Sequence, residues 1–269
     1  MYYNIMKCAL LVGINYRNTP NELDGCENDV DNIEIVLKDT LQFDSIIKMT
    51  ELSKKSELVP NYNNILEQLD LIIDKCNKGE ITQFVFHFSG HGTHIRDRNG
   101  DETDNQDECI CALDDNITDD ELYEKFKQFP STCSVFCLMD CCHSGTILDL
   151  KYRYVKGNKN TIENKKSKIN SDCNIVMLSG CKDNQYSADY DFSNIFYEND
   201  FQGAMTNAFI KTLEKSRYEL TFFKLLKYIR RELRKNDFDQ IPQITSNQRI
   251  KRTDVFITKK NNGPLFLIA

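Results

Sequence analysis

The sequence predicts an α/β fold in which a mostly parallel central β-sheet is flanked by helices on both faces. Short apolar runs of strand length alternate along the chain with longer stretches whose apolar residues recur at helical spacing. Runs such as KCALLVGINY (7–16) and QFVFHFS (83–89) are apolar at most positions, which is typical of strands buried on both faces of a sheet. A chain of 269 residues with 40% hydrophobic content is long enough for one sizeable core, and we find no internal repeat.

Strands are predicted where apolar and β-branched residues run together over a short length. In chain order they are KCALLVGINY (7–16), SIIKM (45–49), QFVFHFS (83–89), ECICAL (108–113), CSVFCLMD (133–140), CNIVMLSG (173–180) and IPQITS (241–246). Helices are predicted where apolar residues recur every three or four positions. They are ENDVDNIEIVLKD (27–39), NNILEQLDLIIDKC (63–76), TDDELYEKFKQF (118–129), AMTNAFIKTLEK (204–215) and TFFKLLKYIRRELRK (221–235). Thr118 and Glu121 form the capping box that starts the third helix.

Two segments have the composition of loops. Residues 90–107 are rich in Gly, Asp and Asn, and residues 151–172 are rich in Lys and Asn. We therefore expect one domain over 1–269, in which blocks 1–150 and 173–269 are joined by an exposed, protease-sensitive connection at 151–172.

Composition excludes several classes of function. A net charge of −7 without an evident basic face argues against nucleic acid as a partner. No run approaches the length of a membrane span, and CALLVGI (8–14) is short for a signal peptide, so a cytoplasmic protein is expected. The eleven cysteines are odd in number and include no C-x-x-C pair, which favours buried free thiols in a reducing compartment over a disulfide scaffold.

Two of the predicted strands end in small, polar, turn-forming residues that include reactive groups. FVFHFSGHG (84–92) leads to His91, and VFCLMDCCHSG (135–145) leads to Cys142. Reactive groups of open parallel sheets collect beyond the carboxyl ends of the strands, so His91 and Cys142 meet if these strands are neighbours. An imidazole can activate a thiol as a base or as a cationic neighbour. The residues alone support two interpretations about equally. Either Cys142 is a nucleophile with His91 as its partner, or both residues belong to the core.

Alternation of side chains along a strand distinguishes the two adjacent cysteines. Asp140 and Cys142 should share one face, whereas Cys141 should point the other way into packing. His143 should also point away from Cys142, which leaves the distant His91 as the partner. Gly92 permits close approach of the backbone, and its amide together with that of Cys142 is a candidate oxyanion hole.

These blocks resemble those of a known family. HFSGHG (87–92) and MDCCHSG (139–145) are similar to the histidine and cysteine blocks of caspase-like peptidases, and most similar to those of the metacaspases. Further similar blocks follow in the family's order: ALLVGINY (9–16), LDGCENDVDNI (23–33), DECICALD (107–114), LSGCKDNQYSAD (178–189), GAMTNAFI (203–210) and QIPQITS (240–246). The resemblance implies a caspase-like fold, with 1–150 similar to a large subunit and 173–269 to a small one.

The resemblance also implies an activity. It implies a cysteine endopeptidase that cleaves after Arg or Lys through an acyl-enzyme, with Cys142 as nucleophile and His91 as acid and base. The acidic specificity pocket that it implies falls on four residues: Cys26, Asp29, Ser89 and Asp140. Ser89 and Asp140 each precede a catalytic candidate by two positions, so each should share its face. Asp29 alone is equally explained as a solvated acid near a helix start.

Calcium activation is a further implication of the resemblance. The implied ligands are Asp107, Asp119, Asp120 and Asp149, which are hard oxygen donors that suit Ca²⁺. From the residues alone, Asp119 and Asp120 are equally explained as acids in the first turn of a helix. The segment DRNGDETDNQDE (97–108) does not match an EF-hand.

The resemblance also indicates which type of metacaspase to expect. The short segment 151–172 and the absence of an N-terminal prodomain suggest a type I-like or minimal metacaspase, which the family leads us to expect as a monomer. Basic residues in this segment are candidate self-cleavage sites: Lys151, Arg153, Lys156 and Lys159. The alternatives are a catalytically inactive caspase-like binding module and a thiolate metal or redox protein, the latter weakened by the missing C-x-x-C.

Overall fold

The computed structural model describes residues 6–96, 106–142, 147–154, 161–164, 167, 173–180, 189–191 and 201–257. Its strands are β1 (Lys7–Gly13), β2 (Ser45–Thr50), β3 (Gln83–Ser89), β4 (Gly92–Arg96), β5 (Gln106–Cys111), β6 (Asn116–Thr118), β7 (Ser134–Asp140), β8 (Tyr152–Tyr154), β9 (Thr161–Glu163), β10 (Asn174–Ser179), β11 (Asp189–Asp191), β12 (Phe201–Gly203), β13 (Leu220–Thr221), β14 (Gln243–Ser246) and β15 (Val255–Ile257). Its α-helices are α1 (Cys26–Ile35), α2 (Tyr62–Asn77), α3 (Asp119–Phe126), α4 (Ala204–Lys215) and α5 (Phe222–Lys235).

The main sheet has eight strands in the order β2-β1-β3-β7-β10-β14-β8-β9. The first five of these strands are parallel, whereas β14, β8 and β9 are each antiparallel to the preceding neighbour. A smaller sheet of β4, β5 and β6 follows directly from the end of β3. The predicted α/β fold with a mostly parallel central sheet is therefore confirmed.

Helices cover both faces of the main sheet, as the apolar strands require. On one face α2 and α3 bury Ile65, Leu69 and Phe126 against alternate residues of β1, β3 and β7. On the other face α1, α4 and α5 pack over the intervening residues, with Val30 and Phe222 fully buried. Because successive strand residues face opposite layers, this arrangement decides which side chains at the strand ends reach which layer.

The segments predicted as loops contain strands. Within 90–107, the residues Gly92–Arg96 form β4, which pairs with β5. Within 151–172, the strands β8 and β9 complete one edge of the main sheet. Tyr154 is fully buried there, and its hydroxyl accepts a hydrogen bond from the Ile250 N–H at 2.7 Å. The Lys- and Asn-rich composition concealed these strands, because each is only three residues long.

Other predicted elements agree with the structure to within a few residues. Thr118 and Glu121 form the expected capping box at the start of α3. No helix in the described part of the chain has an apolar stretch long enough to span a bilayer.

Candidate active site

The two strands that lead to the candidate catalytic residues are direct neighbours. β3 and β7 pair in parallel, with Ser89 opposite Asp140 at their carboxyl ends. The Gly90 N–H donates to the Asp140 carbonyl at 3.3 Å, so the pairing continues past the last strand residue. His91 and Cys142 each follow two positions later, and they therefore emerge side by side at this edge of the sheet.

Gly92 lies directly against the main chain of Cys142. A Cβ atom added to Gly92 would be 2.0 Å from the Cys142 carbonyl oxygen. Only glycine allows this approach, because the obstructing atom belongs to the backbone and cannot rotate away. The two segments therefore lie close together at the place where an oxyanion hole is expected.

Burial separates the two adjacent cysteines. Cys141 is fully buried among the residues packed under α2 and α3, whereas Cys142 is half-buried. Asp140 faces the opposite layer from Cys141, where its carboxylate meets Thr206 at the start of α4. The alternation expected from the sequence is present, and it leaves Cys142 as the accessible thiol. His143 and Gly145 lie outside the described residues.

His91 is held from two directions. Its Nε2 atom lies 2.7 Å from the Asn21 carbonyl oxygen, and since a carbonyl can only accept, Nε2 carries the proton. Nδ1 is then the nitrogen that can take a proton from a thiol. The ring also packs on Tyr16, with ring centroids 4.6 Å apart. We did not single out Asn21 or Tyr16 from the sequence.

Two carboxylates meet beside the strand ends that lead to His91 and Cys142. Ser89 Oγ donates to Asp29 Oδ2 at 2.6 Å, and the Gly203 N–H donates to Asp29 Oδ1 at 2.9 Å. Asp140 Oδ2 accepts from both the N–H and the hydroxyl of Thr206, each at 2.8 Å. Both carboxylates are buried, so the structure brings together the three polar residues that the sequence proposed for this pocket.

The remaining pocket candidate and two residues missed from the sequence lie at its boundary. Cys26 is the buried first residue of α1, one helical turn before Asp29. Gly203 is the N-cap of α4 and Thr206 is its third residue. They were missed because a hydrogen bond from a main-chain N–H leaves little trace in sequence. The available signal was a glycine directly before a predicted helix, followed by a Thr in the first turn of that helix.

The four proposed calcium ligands also lie in one region. Asp107 ends up beside Asp119 because β5 and β6 pair immediately before α3 begins. Burial, together with the neighbouring carboxylates of Asp149, Asp107 and Asp120, raises the pKa of Asp119 to about 7. Among the described residues, however, no three acidic, His or Cys side chains are already arranged around one point as ligands. The donor chemistry suits a hard cation, since crowded buried carboxylates need positive charge or protons.

Cys111 is a second half-buried thiol near the dyad. Its main-chain N–H donates to the His91 carbonyl at 3.0 Å. Burial and the nearby Cys142 raise the pKa of the Cys111 thiol to about 11, which keeps it protonated. The other cysteines in the described part of the chain are buried free thiols, as their apolar surroundings in the sequence predicted.

This architecture is a caspase-like fold. Caspase-1 from Spodoptera frugiperda superposes with a TM-score of 0.58 over 90% of this chain and 86% of its own, at 15% identity. A crystal structure of a Geobacter sulfurreducens protein gives a TM-score of 0.67 over 98% of this chain and 100% of its own, at 21% identity. At these identities the likeness concerns the fold.

Sequence comparison identifies the family. The model for the metacaspase, peptidase C14 domain matches residues 7–151. Metacaspase-1 of Meyerozyma guilliermondii is 30% identical over 92% of this chain and 72% of its own length. Metacaspase-1 of Arabidopsis thaliana is 33% identical over 87% and 66%. The chain belongs to the metacaspases, a family of cysteine peptidases, and it spans about two thirds of the length of these relatives.

Proposed function

We propose that this chain is a calcium-dependent cysteine endopeptidase that cleaves peptide bonds after Arg or Lys. The observation that carries the proposal is the placement of two buried carboxylates, Asp29 and Asp140, next to the strand ends that lead to His91 and Cys142. Family membership supports peptidase chemistry in general, and the acidic pocket supports the preference for a basic side chain.

The pocket is suited to a cation for an electrostatic reason. Its two carboxylates accept hydrogen bonds from the neutral donors of Ser89, Gly203 and Thr206. A guanidinium or ammonium group entering between them gains charge-assisted hydrogen bonds in a site with little water. An acidic substrate side chain would be repelled.

The proposed reaction divides the work between two residues. Nδ1 of His91 takes the proton of the Cys142 thiol, and the sulfur attacks the scissile carbonyl carbon. The amides of Gly92 and Cys142 donate to the oxyanion, and the imidazolium then protonates the leaving amine as the C–N bond breaks. Water, activated by the same imidazole, hydrolyses the thioester and restores the thiol.

Calcium is assigned a structural role in this proposal. Asp107, Asp119, Asp120 and Asp149 would hold it, and when bound the ion supplies positive charge that offsets their mutual repulsion. Asp107 lies in β5 and pairs with Ile95 of β4, and Asp149 lies seven residues after Cys142 along the chain. Calcium bound to this cluster would therefore help to order the segments next to His91 and Cys142.

The proposal is tested with a fluorogenic peptide that ends in Arg, assayed while calcium is titrated. We expect calcium-dependent hydrolysis that Cys142→Ala abolishes, and no hydrolysis of a matched peptide ending in Asp. Equal rates for wild type and Cys142→Ala would remove the nucleophile assignment. A folded protein that binds the Arg peptide without cleaving it would instead indicate the inactive binding module.

A further inference from the structure

Tyr16 contacts His91 through both its ring and its hydroxyl. The phenol accepts a hydrogen bond from the His91 main-chain N–H at 2.9 Å and donates one to the Cys111 carbonyl at 2.7 Å. The two rings lie 4.6 Å apart with 37° between their planes. The Cys111 N–H in turn donates to the His91 carbonyl. The Tyr16 hydroxyl and the Cys111 main chain therefore form a hydrogen-bonded network with the His91 main chain.

The surrounding chain is arranged to admit this hydroxyl. A Cβ atom on Gly90 would be 2.8 Å from the Tyr16 oxygen, so the glycine before His91 leaves the space that the phenol occupies. Tyr16 itself adopts a left-handed backbone conformation, with φ of 53°, where β1 gives way to a turn. The same turn presents Asn21, whose carbonyl binds the His91 ring at Nε2.

We infer that Tyr16 is a positioning residue for His91 that fixes the imidazole next to the Cys142 thiol. The Tyr16 ring packs against the imidazole and limits its rotation. The two hydroxyl bonds hold the main chain from which the imidazole projects. This inference rests on the proposed Cys142–His91 chemistry and adds a third side chain to it.

The phenol stays neutral in this role. Burial raises the pKa of Tyr16 well above its ordinary value, with further contributions from the nearby thiols Cys111, Cys26 and Cys141. A neutral hydroxyl can donate to Cys111 and accept from His91 at the same time, which a phenolate cannot.

Tyr154 provides a matched control. It is a fully buried tyrosine whose hydroxyl also accepts a main-chain N–H, from Ile250 at 2.7 Å, in the antiparallel part of the main sheet. Tyr154→Phe makes the same chemical change as Tyr16→Phe and should loosen the fold by a comparable amount. Tyr154 lies on β8, which β10 and β14 separate from β7 in the main sheet, so this variant separates general destabilisation from positioning.

The experiment measures the rate at which iodoacetamide alkylates Cys142 at pH 7, followed by mass spectrometry of the peptide that contains it. In this reaction the thiolate sulfur forms the S–C bond, iodide leaves, and the thiol proton remains on His91. We expect His91→Ala to be slow, Tyr16→Leu to approach it, and Tyr16→Phe to fall about fivefold, the value of one net hydrogen bond. Tyr154→Phe should keep the wild-type rate. In peptide hydrolysis the Tyr16 variants should lower kcat with little change in KM.

Three outcomes would overturn the inference, and they bear differently on the proposed function. Wild-type alkylation rates in both Tyr16 variants, with His91→Ala slow, would reject Tyr16 and leave the dyad intact. A loss in Tyr154→Phe equal to that in Tyr16→Phe would make the effect one of general loosening. A wild-type rate in His91→Ala would reject both the inference and the dyad.

Discussion

Asp29 Oδ2 and Asp140 Oδ2 lie close enough together that one methyl group placed on Gly203 would contact both. Such a carbon would be 2.6 Å from the Asp29 oxygen and 2.3 Å from the Asp140 oxygen. The two aspartates come from α1 and the end of β7, and both are buried. Two like charges at this spacing repel each other, so the arrangement favours a cation between or beside them.

The first prediction follows from this pair. Asp140→Asn should lower kcat/KM for an Arg-terminated peptide about 100-fold, because removing one partner of a desolvated charge pair costs on the order of 2–5 kcal/mol. The alkylation rate of Cys142 should change little, since the nucleophile is untouched. Steady-state kinetics on Arg, Lys and norleucine peptides measure the effect. A loss of the same size on all three peptides would show that Asp140 supports the fold rather than selecting the basic side chain.

The second prediction concerns the two adjacent cysteines. Cys142→Ala should be inactive with an unchanged melting temperature. Cys141→Ala should retain most peptide hydrolysis but lose about 1 kcal/mol of stability, because it deletes a fully buried side chain. Hydrolysis assays and thermal unfolding of the two single variants measure both effects. If Cys141→Ala were inactive but as stable as the wild type, Cys141 rather than Cys142 would be the nucleophile.

The sheet and its helices were predictable, because their apolar runs are long and strongly patterned. The pairing of the strands that precede His91 and Cys142 was only a condition of the hypothesis, because apolar runs do not specify strand order. The face on which Cys141 lies followed from strand alternation alone. The short strands β8 and β9 were not predictable, since three-residue strands in a Lys-rich segment carry no periodic signal. The contacts of Asn21 and Gly203 were also hidden, because they are made by main-chain atoms that any residue supplies.

The third prediction concerns calcium. Calcium should raise the melting temperature of the wild-type protein, by an amount that corresponds to about 2.7 kcal/mol at 100 times the dissociation constant. Asp119→Asn should stabilise the calcium-free protein, since it removes one buried charge from a crowded cluster, and it should abolish most of the calcium shift. Differential scanning calorimetry with and without calcium gives both values. Asp74→Asn, which removes an exposed acid from an ion pair with Lys78, is the matched control. An undiminished calcium shift in Asp119→Asn would place the ion elsewhere.

The fourth prediction concerns self-cleavage between 151 and 172. Arg153 lies in β8 and pairs with β14 on one side and β9 on the other, so the bond after it cannot reach a protease cleft in the folded state. Lys156 and Lys159 lie outside the described residues. If calcium triggers cleavage at these candidate sites, intact mass spectrometry should show products that end at Lys151, Lys156 or Lys159, and changing these three residues to Gln should remove those products. Arg153→Gln should be cut normally, and a product ending at Arg153 would contradict the prediction.

The fifth prediction concerns His87, a fully buried residue in the centre of β3. Its Nδ1 atom lies 3.0 Å from the Leu138 carbonyl oxygen, and Nε2 has no hydrogen-bond partner in the described part of the chain. Burial lowers the pKa of His87 to about 4, because a charge there would be desolvated. The unfolded chain therefore takes up a proton below its ordinary pKa of 6.5, while the folded chain does not.

Stability contributed by His87 should accordingly be complete above about pH 6.5 and should be lost as the pH falls toward 4. The loss amounts to at most about 3 kcal/mol, from the size of the shift. Urea unfolding of wild type and His87→Leu between pH 7.5 and 4.5 isolates the effect, since other groups titrate equally in both proteins. The free energy of unfolding of the wild type should fall relative to that of His87→Leu as the pH falls. A stability difference that does not depend on pH would mean that the His87 imidazole is protonated in the folded protein as readily as in the unfolded chain.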